Sequence, residues 1–215
     1  MNSKSGRVWL FDLDDTLHNA SAHIFPHINR AMTAYVAENL GVGEAEANRL
    51  RMDYWQRYGA TLTGLMRHHG TDPHHFLWHT HQFPQLRQQL VFDRAVKTML
   101  RRLPGRKIVF SNSPIHYAEA VLAAMGIRRC FDEVWCLEKL RFVPKPFASA
   151  FRRLLRRQRL NPRRCVMVED NQANLQTAHR LGMKTVLIAR RPKGPAWLSA
   201  RLNSVLALPR QLGRL

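Results

Sequence analysis

Acidic side chains are scarce in this chain. Fifteen Asp and Glu stand against 34 Lys and Arg in 215 residues, a formal charge of +19. Cysteine is scarce too: Cys130, Cys136 and Cys165 are odd in number and lack metal-ligand spacing. That pattern gives no zinc site and suits free, buried thiols in a reducing cytoplasm. Long apolar runs are missing. Runs such as Val8 to Phe11 fall far short of the roughly 20 residues a membrane span requires. No apolar signal core precedes Asp12, so neither a secretory leader nor a membrane partner is expected, and the expected location is cytoplasmic. Disorder is excluded by the opposite observation: hydrophobic residues make up 45% and charged residues 23%, as in ordinary globular domains. No internal repeat is found.

The charge is unevenly spread. Residues 1–100 hold 10 basic and 9 acidic side chains, and residues 101–215 hold 24 and 6, so the halves carry about +1 and +18. A basic half can mark a nucleic-acid surface. However, its arginines lack the interleaved aromatics of a stacking platform. Arg152, Arg153, Arg156, Arg157 and Arg159 read as the solvated face of a helix whose stripe is Ala150, Phe151, Leu154 and Leu155. Nucleic-acid binding is expected to be at most weak and non-specific.

Residues 7–12 form a short apolar run ending in an acidic cluster, a buried strand by pattern. Helical periodicity follows over 24–40, 44–58, 62–69 and 73–81, with no convincing strand before residue 91. From there helices at 92–103, 115–125, 147–158 and 172–181 alternate with apolar strands at 107–111, 133–137, 164–169 and 184–188. Five short strands separated by helices predict an α/β fold with a parallel sheet covered by helices on both faces. Residues 1–17 and 91–215 would form that core, and residues 18–90 a helical cap inserted after the first strand. The tail beyond Arg190 predicts no clear element.

In such sheets, ligands sit beyond the carboxyl ends of the strands. Strand one ends at Asp12-Leu13-Asp14-Asp15-Thr16, strand two at Ser111-Asn112, and the fourth strand at Glu169-Asp170. Lys145 lies in the Val143-Pro144-Lys145-Pro146 loop after the third. Asp12 and Asp14, two residues apart, share a direction. With Asp170 they offer three hard oxygen donors, a set suited to Mg²⁺. A carboxylate can attack phosphorus and form an aspartyl phosphate, and a second can protonate the leaving oxygen. Ser111 can donate to a phosphoryl oxygen, and Lys145 supplies a fixed positive charge.

Phe11 to Leu17 (FDLDDTL), Ser111-Asn112, Lys145-Pro146 and Glu169-Asp170 resemble, in order and spacing, the four motifs of the haloacid dehalogenase superfamily. The resemblance covers roughly residues 7–190. It implies a Rossmann-like core with a helical cap between motifs one and two. It also implies Asp12 as nucleophile and Asp14 as general acid and base, with Ser111, Asn112 and Lys145 as phosphate binders. The implied Mg²⁺ ligands are Asp12, the carbonyl of Asp14 and Asp170, with Glu169 direct or through water. Dehalogenation needs the nucleophile but not a second aspartate. The presence of Asp14 therefore implies a phosphatase, a phosphoric monoester hydrolase.

Tyr58 to Leu65 (YGATLTGL) and Asn171 to Gly182 resemble pyrimidine 5′-nucleotidase-like members. That implies UMP or CMP as substrate, with Tyr58, Thr61 and Thr63 of the cap setting specificity. The cap segment also reads as a helix junction with Thr caps. A sugar-phosphate phosphatase, a phosphomutase, and a basic nucleic-acid-interacting protein on the same scaffold remain alternatives. Nine of the 11 histidines precede residue 82. They read as a polar cap surface, with His75 and His79 a possible but unsupported metal pair.

Overall fold

The computed structural model describes residues 6–190 and 194–215. Its chain order is β1 (Val8–Phe11), α1 (Ile24–Leu40), α2 (Glu44–Tyr58), α3 (Thr61–His69), α4 (Pro73–Thr80) and α5 (Leu86–Gln89), then α6 (Ala95–Arg102) and β2 (Arg106–Phe110). There follow α7 (Ile115–Ala124), β3 (Glu133–Trp135), α8 (Ala148–Arg157), β4 (Cys165–Glu169), α9 (Gln172–Arg180), β5 (Lys184–Ile188) and β6 (Ala200–Leu202). All strand pairings between these elements are parallel, in the order β3-β2-β1-β4-β5-β6.

β1 is central, with Val8 opposite both Arg106 of β2 and Cys165 of β4. A strand flanked on both edges and both faces must be apolar throughout, and all four residues of β1 are buried. Their alternation divides the core. Trp9 and Phe11 point to the face covered by α6 and α7, with Val96, Leu100, Val121 and Leu122. Val8 and Leu10 point to the opposite face, with Phe151 and Leu154 of α8 and Leu175 of α9. Each large apolar side chain so buried contributes roughly 1.5–3 kcal/mol.

β6 is a strand that the periodicity does not predict. It has three residues, only Leu202 of them buried, and it pairs at the sheet edge through Val186 opposite Ala200. So short a segment carries no alternation to read. The other five strands lie where the apolar runs place them. The helix expected from residue 92 begins instead at Ala95, whose amide is capped by Asp93 Oδ1 at 2.7 Å.

Helices α1 to α5 lie between β1 and β2, and α1 to α4 share a core of Tyr35, Val36, Tyr54, Leu62, Leu65, Phe76 and Leu77, joined by Leu137 from the loop after β3, while Leu86 of α5 packs on the main core. Gly64 permits the close approach of α3 to α2, because a Cβ there would lie 2.2 Å from the Tyr54 ring. The insertion leans on the carboxyl end of the sheet: His74 packs edge-on against Phe142 of the loop after β3 at 5.0 Å, and the Trp78 ring lies 5.1 Å from that of His116 at the start of α7. Among the described residues, no helix is long and apolar enough to cross a membrane. The three cysteines are free, with Cys136 and Cys165 buried and Cys130 half-buried.

Candidate active site

The sheet order reverses at β1, with β2 on one side and β4 on the other. In open parallel sheets ligands bind beyond the strand ends at such a switch point. Asp12 continues the β1 ladder by one residue, its amide donating to Val168 O at 3.0 Å. The chain then closes a helical turn, with Leu17 N donating to Leu13 O at 2.9 Å. Asp15 takes a left-handed conformation, φ 58°, which aspartate tolerates better than most residues. Its Oδ1 accepts from Ser21 N at 2.9 Å, so Asp15 ties the motif to the insertion and is not part of the reactive cluster.

Lys145 organises the centre. Its side chain is buried, and Nζ donates to Asp12 Oδ1 and Glu169 Oε2, both at 2.7 Å. A lone buried ammonium would cost several kcal/mol, and two facing carboxylates offset that cost. Burial draws the Lys145 pKa down, but the charges of Asp12 and Glu169 outweigh it and hold the ammonium protonated. The Asn112 carboxamide fixes the lysine's backbone. Nδ2 donates to Lys145 O at 2.9 Å, and Oδ1 accepts from Lys145 N at 2.8 Å. Ser111 Oγ lies 2.9 Å from Ser113 Oγ and accepts from Ser113 N at 3.1 Å, at the end of β2.

Glu169 and Asp170 differ sharply. Glu169 Oε2 accepts from Lys145 and from Asn174 Nδ2 at 3.0 Å, and Oε1 accepts from the amides of Asp170 and Asn171 at 3.2 and 3.3 Å. Both of its oxygens are thus occupied by protein donors. The Asp170 carboxylate is only half-buried and lies against the carboxylate of Glu169. Ligand oxygens of Asp12, Glu169 and Asp170 lie within 4.8 Å of one another, the one such His/Cys/Asp/Glu cluster among the described residues. Burial and the neighbouring Glu169 push the Asp12 pKa up to about 8, against the pull of Lys145. Burial and Glu169 push Asp170 up to about 9. Crowded carboxylates of this kind suit a divalent cation, which relieves the repulsion and accepts hard oxygen donors.

Asp14 is held differently. Its Oδ1 accepts from Tyr117 OH at 2.6 Å and contacts His18 Nε2 at 2.9 Å. Burial first, and then the Asp14 charge, raise the Tyr117 pKa, so the phenol stays protonated. The His81 ring lies 5.8 Å from the Tyr117 ring, and burial lowers its pKa to about 4. His18 and His81 are both buried, which corrects the reading as a polar surface at these two positions, while the other seven early histidines are exposed or half-buried. His18 is turned inward by the helical turn that follows Asp12, and His81 by the end of α4. Only the proximity of His18 to the acidic motif could have signalled its role, and nothing local singles out Tyr117.

The expected cap residues lie at the junction of α2 and α3. Tyr58 OH pairs with His68 Nε2 at 2.7 Å. Thr61 Oγ1 is buried and donates to Arg51 O at 3.0 Å, while Thr63 Oγ1 is buried without a partner. No hydrogen bond joins these three to Asp12, Asp14, Ser111, Lys145 or Asp170. The junction nevertheless adjoins the lysine loop: a Cβ on Gly59 would lie 3.8 Å from the Phe147 ring. His75 and His79 rings are 4.2 Å apart, with His75 Nδ1 bonded to Tyr35 OH, and no third metal-ligating side chain joins them.

A family profile described as haloacid dehalogenase-like hydrolase matches residues 7–182. The chain belongs to that family. Its sequence is 25% identical over 197 residues to Phosphate metabolism protein 8 of Saccharomyces cerevisiae, an alignment covering 84% of this chain and 61% of that protein. The chain therefore spans about three fifths of the length of that relative. Among solved structures, the HAD phosphatase of Thermococcus onnurineus superposes with a TM-score of 0.68 at 20% identity, covering 96% of this chain and 98% of the other. L-2-haloacid dehalogenase of Xanthobacter autotrophicus with chloropropionic acid covalently bound gives 0.62 at 16% identity, covering 97% and 98%. At such identities these likenesses establish the fold alone, which hydrolases of both kinds share.

Proposed function

We propose that this family member is a Mg²⁺-dependent phosphomonoesterase with a pyrimidine nucleoside 5′-monophosphate as substrate. The observation that carries the phosphatase reading is the second carboxylate. Asp14 is held by two donors beside Asp12, and a dehalogenase would have no use for it. Asp12 attacks phosphorus as the bond to the leaving oxygen breaks, and Asp14 gives its proton to that oxygen. Water then attacks the aspartyl phosphate and Asp14 takes the water's proton. The bond from Asp12 to phosphorus breaks, releasing phosphate. Lys145 and Ser111 face the phosphoryl oxygens, and Asn112 holds Lys145 in place. Asp12, Asp170 and the carbonyl of Asp14 would hold Mg²⁺, which when bound offsets the charge of the carboxylates and the phosphate. Glu169, with its oxygens occupied by Lys145, Asn174 and two amides, would orient the lysine and reach the metal at most through water.

The core grips only the phosphate that all such substrates share, so discrimination falls to the 18–90 cap. Such an insertion can close over a mononucleotide and exclude water. The packing of Gly59 against Phe147, two residues beyond Lys145, supports the α2–α3 junction as the specificity element. Tyr58 offers an aromatic face there, and Thr63 a hydroxyl without a partner. Thr61, engaged with Arg51, shapes the junction.

The test is a panel of UMP, CMP, AMP, sugar phosphates, p-nitrophenyl phosphate and 2-chloropropionate, with Mg²⁺, on wild type and Asp12→Asn. Phosphate release that is highest for UMP or CMP and absent in Asp12→Asn is expected. Chloride release without phosphate release would overturn the phosphatase reading. Equal rates on purine and pyrimidine nucleotides would overturn the substrate alone.

A further inference from the structure

We infer that Tyr117 and His18 are positioning residues that make Oδ2 of Asp14 the proton-carrying oxygen. This rests on the phosphatase reading above and names two groups outside the four motifs. Both neighbours meet the same oxygen: Tyr117 OH at 2.6 Å and His18 Nε2 at 2.9 Å from Oδ1. They come from different elements, Tyr117 from the first turn of α7 and His18 from the loop after β1, 103 and 4 residues from Asp14.

The chemistry follows from what a protonated carboxyl can do. It has one carbonyl oxygen, with two lone pairs, and one hydroxyl oxygen. Two donors on Oδ1 fill the acceptor sites of a carbonyl. A proton on Oδ1 would point into one of them. The proton is therefore confined to Oδ2, the oxygen with no recorded protein partner. The donors also fix the plane of the carboxyl, and so the direction in which that proton leaves.

His18 can serve only as a donor here. Its side chain is fully buried and its Nδ1 has no partner, so a hydrogen on Nδ1 would be a buried, unsatisfied donor. The ring hydrogen therefore sits on Nε2, facing Asp14. Tyr117 is 2% exposed and its hydroxyl makes no other recorded bond. Neither residue hydrogen-bonds to Asp12, Lys145 or Glu169 among the described residues. Their effect is confined to the acid/base step.

The experiment compares kcat/KM, which reports formation of the aspartyl phosphate, on two substrates that the wild type hydrolyses. One is p-nitrophenyl phosphate, whose leaving group needs little protonation. The other is an alkyl phosphate such as UMP, whose leaving alkoxide needs a full proton. Tyr117→Phe removes only the hydroxyl. It is expected to lower kcat/KM on the alkyl phosphate at least about tenfold more than on the aryl one, a part of the 10²–10⁴-fold that general acid catalysis supplies. His18→Leu should show the same split, and His18→Gln, which restores an N–H, should recover most of the alkyl activity. Equal losses on both substrates, or no loss, in soluble variants would overturn the inference. If Tyr117→Phe fails to fold, the His18→Leu and His18→Gln pair decides alone, with failure of glutamine to rescue counting against it. An inactive wild type would instead refute the phosphatase reading.

Discussion

The strand-end cluster and the helical insertion use polar groups in opposite ways. At the strand ends, Lys145 reaches across 133 residues to Asp12 and 24 to Glu169, and the carboxylates and ammonium that meet are nearly all buried. In the insertion, polar contacts pair tyrosine with histidine: Tyr35 with His75, Tyr54 with His69 and Tyr58 with His68, at 2.7 to 2.8 Å and no more than 40 residues apart. Those pairs are partly or wholly exposed. The first region is held by interactions that fail together when one partner is lost. The second can exchange single residues at little cost.

The contrast is broken most directly at its centre. Lys145→Met should abolish phosphatase activity and leave Asp12 and Glu169 buried together without a cation. Removing one partner of a buried pair costs about 3–5 kcal/mol, so thermal unfolding should shift by many degrees. A variant that kept wild-type melting would place the stability elsewhere.

Next in size is the metal. EDTA should silence the wild type, and Asp170→Ala should raise the Mg²⁺ requirement by orders of magnitude or end activity. Ca²⁺ should substitute poorly, because its looser coordination misplaces the nucleophile. Metal titrations of activity check all three, and full turnover in excess EDTA would remove the metal from the scheme.

The third prediction lies where the two regions meet. Burial lowers the His81 pKa from 6.5 to about 4, so between those values the unfolded chain binds a proton that the folded chain does not. The stability from keeping His81 neutral is complete above pH 6.5 and is lost progressively as pH falls to about 4. The full loss is on the order of 3 kcal/mol. Denaturant melts of wild type and His81→Asn at pH 7 and pH 5 measure it, and the wild type should lose more stability than the variant.

Smallest is the insertion's surface. Tyr58→Phe removes an exposed hydrogen bond to His68 and should cost about 1 kcal/mol or less. Its expected signature is a change in KM for nucleotides with hydrolysis of p-nitrophenyl phosphate unchanged. A large drop in melting temperature would make the α2–α3 junction structural.

Much of this was legible locally. Gly41 and Gly59 stop α1 and α2 at the residues that periodicity predicts, because each adopts the left-handed conformation that ends a helix. Asp12, Ser111, Glu169 and Lys145 stand out because each follows an apolar strand or lies in a loop leaving one. What was not legible depends on contacts between distant elements. The contacts of Glu169 with Lys145 and Asn174 come from residues 24 and 5 positions away. Tyr117 is one helix residue among many until α7 brings it to Asp14. Thr61 looks available until its hydroxyl is found on Arg51 O. β6 is too short for any pattern.

The Asn112 carboxamide gives a hydrogen to the carbonyl of Lys145 and takes one from its amide, as a neighbouring strand residue would. One side chain thus extends the sheet's register sideways by a single residue, beyond the last backbone pairing of β2 with β3. The position of the lysine backbone is thereby referenced to the end of β2. The segment from Cys136 to Pro144 is held by packing of its own, through the buried Cys136, Leu137 and Leu140. Position 112 is confined to a side chain that offers a donor and an acceptor at the same reach. Aspartate, with two acceptors and no donor, would release the loop.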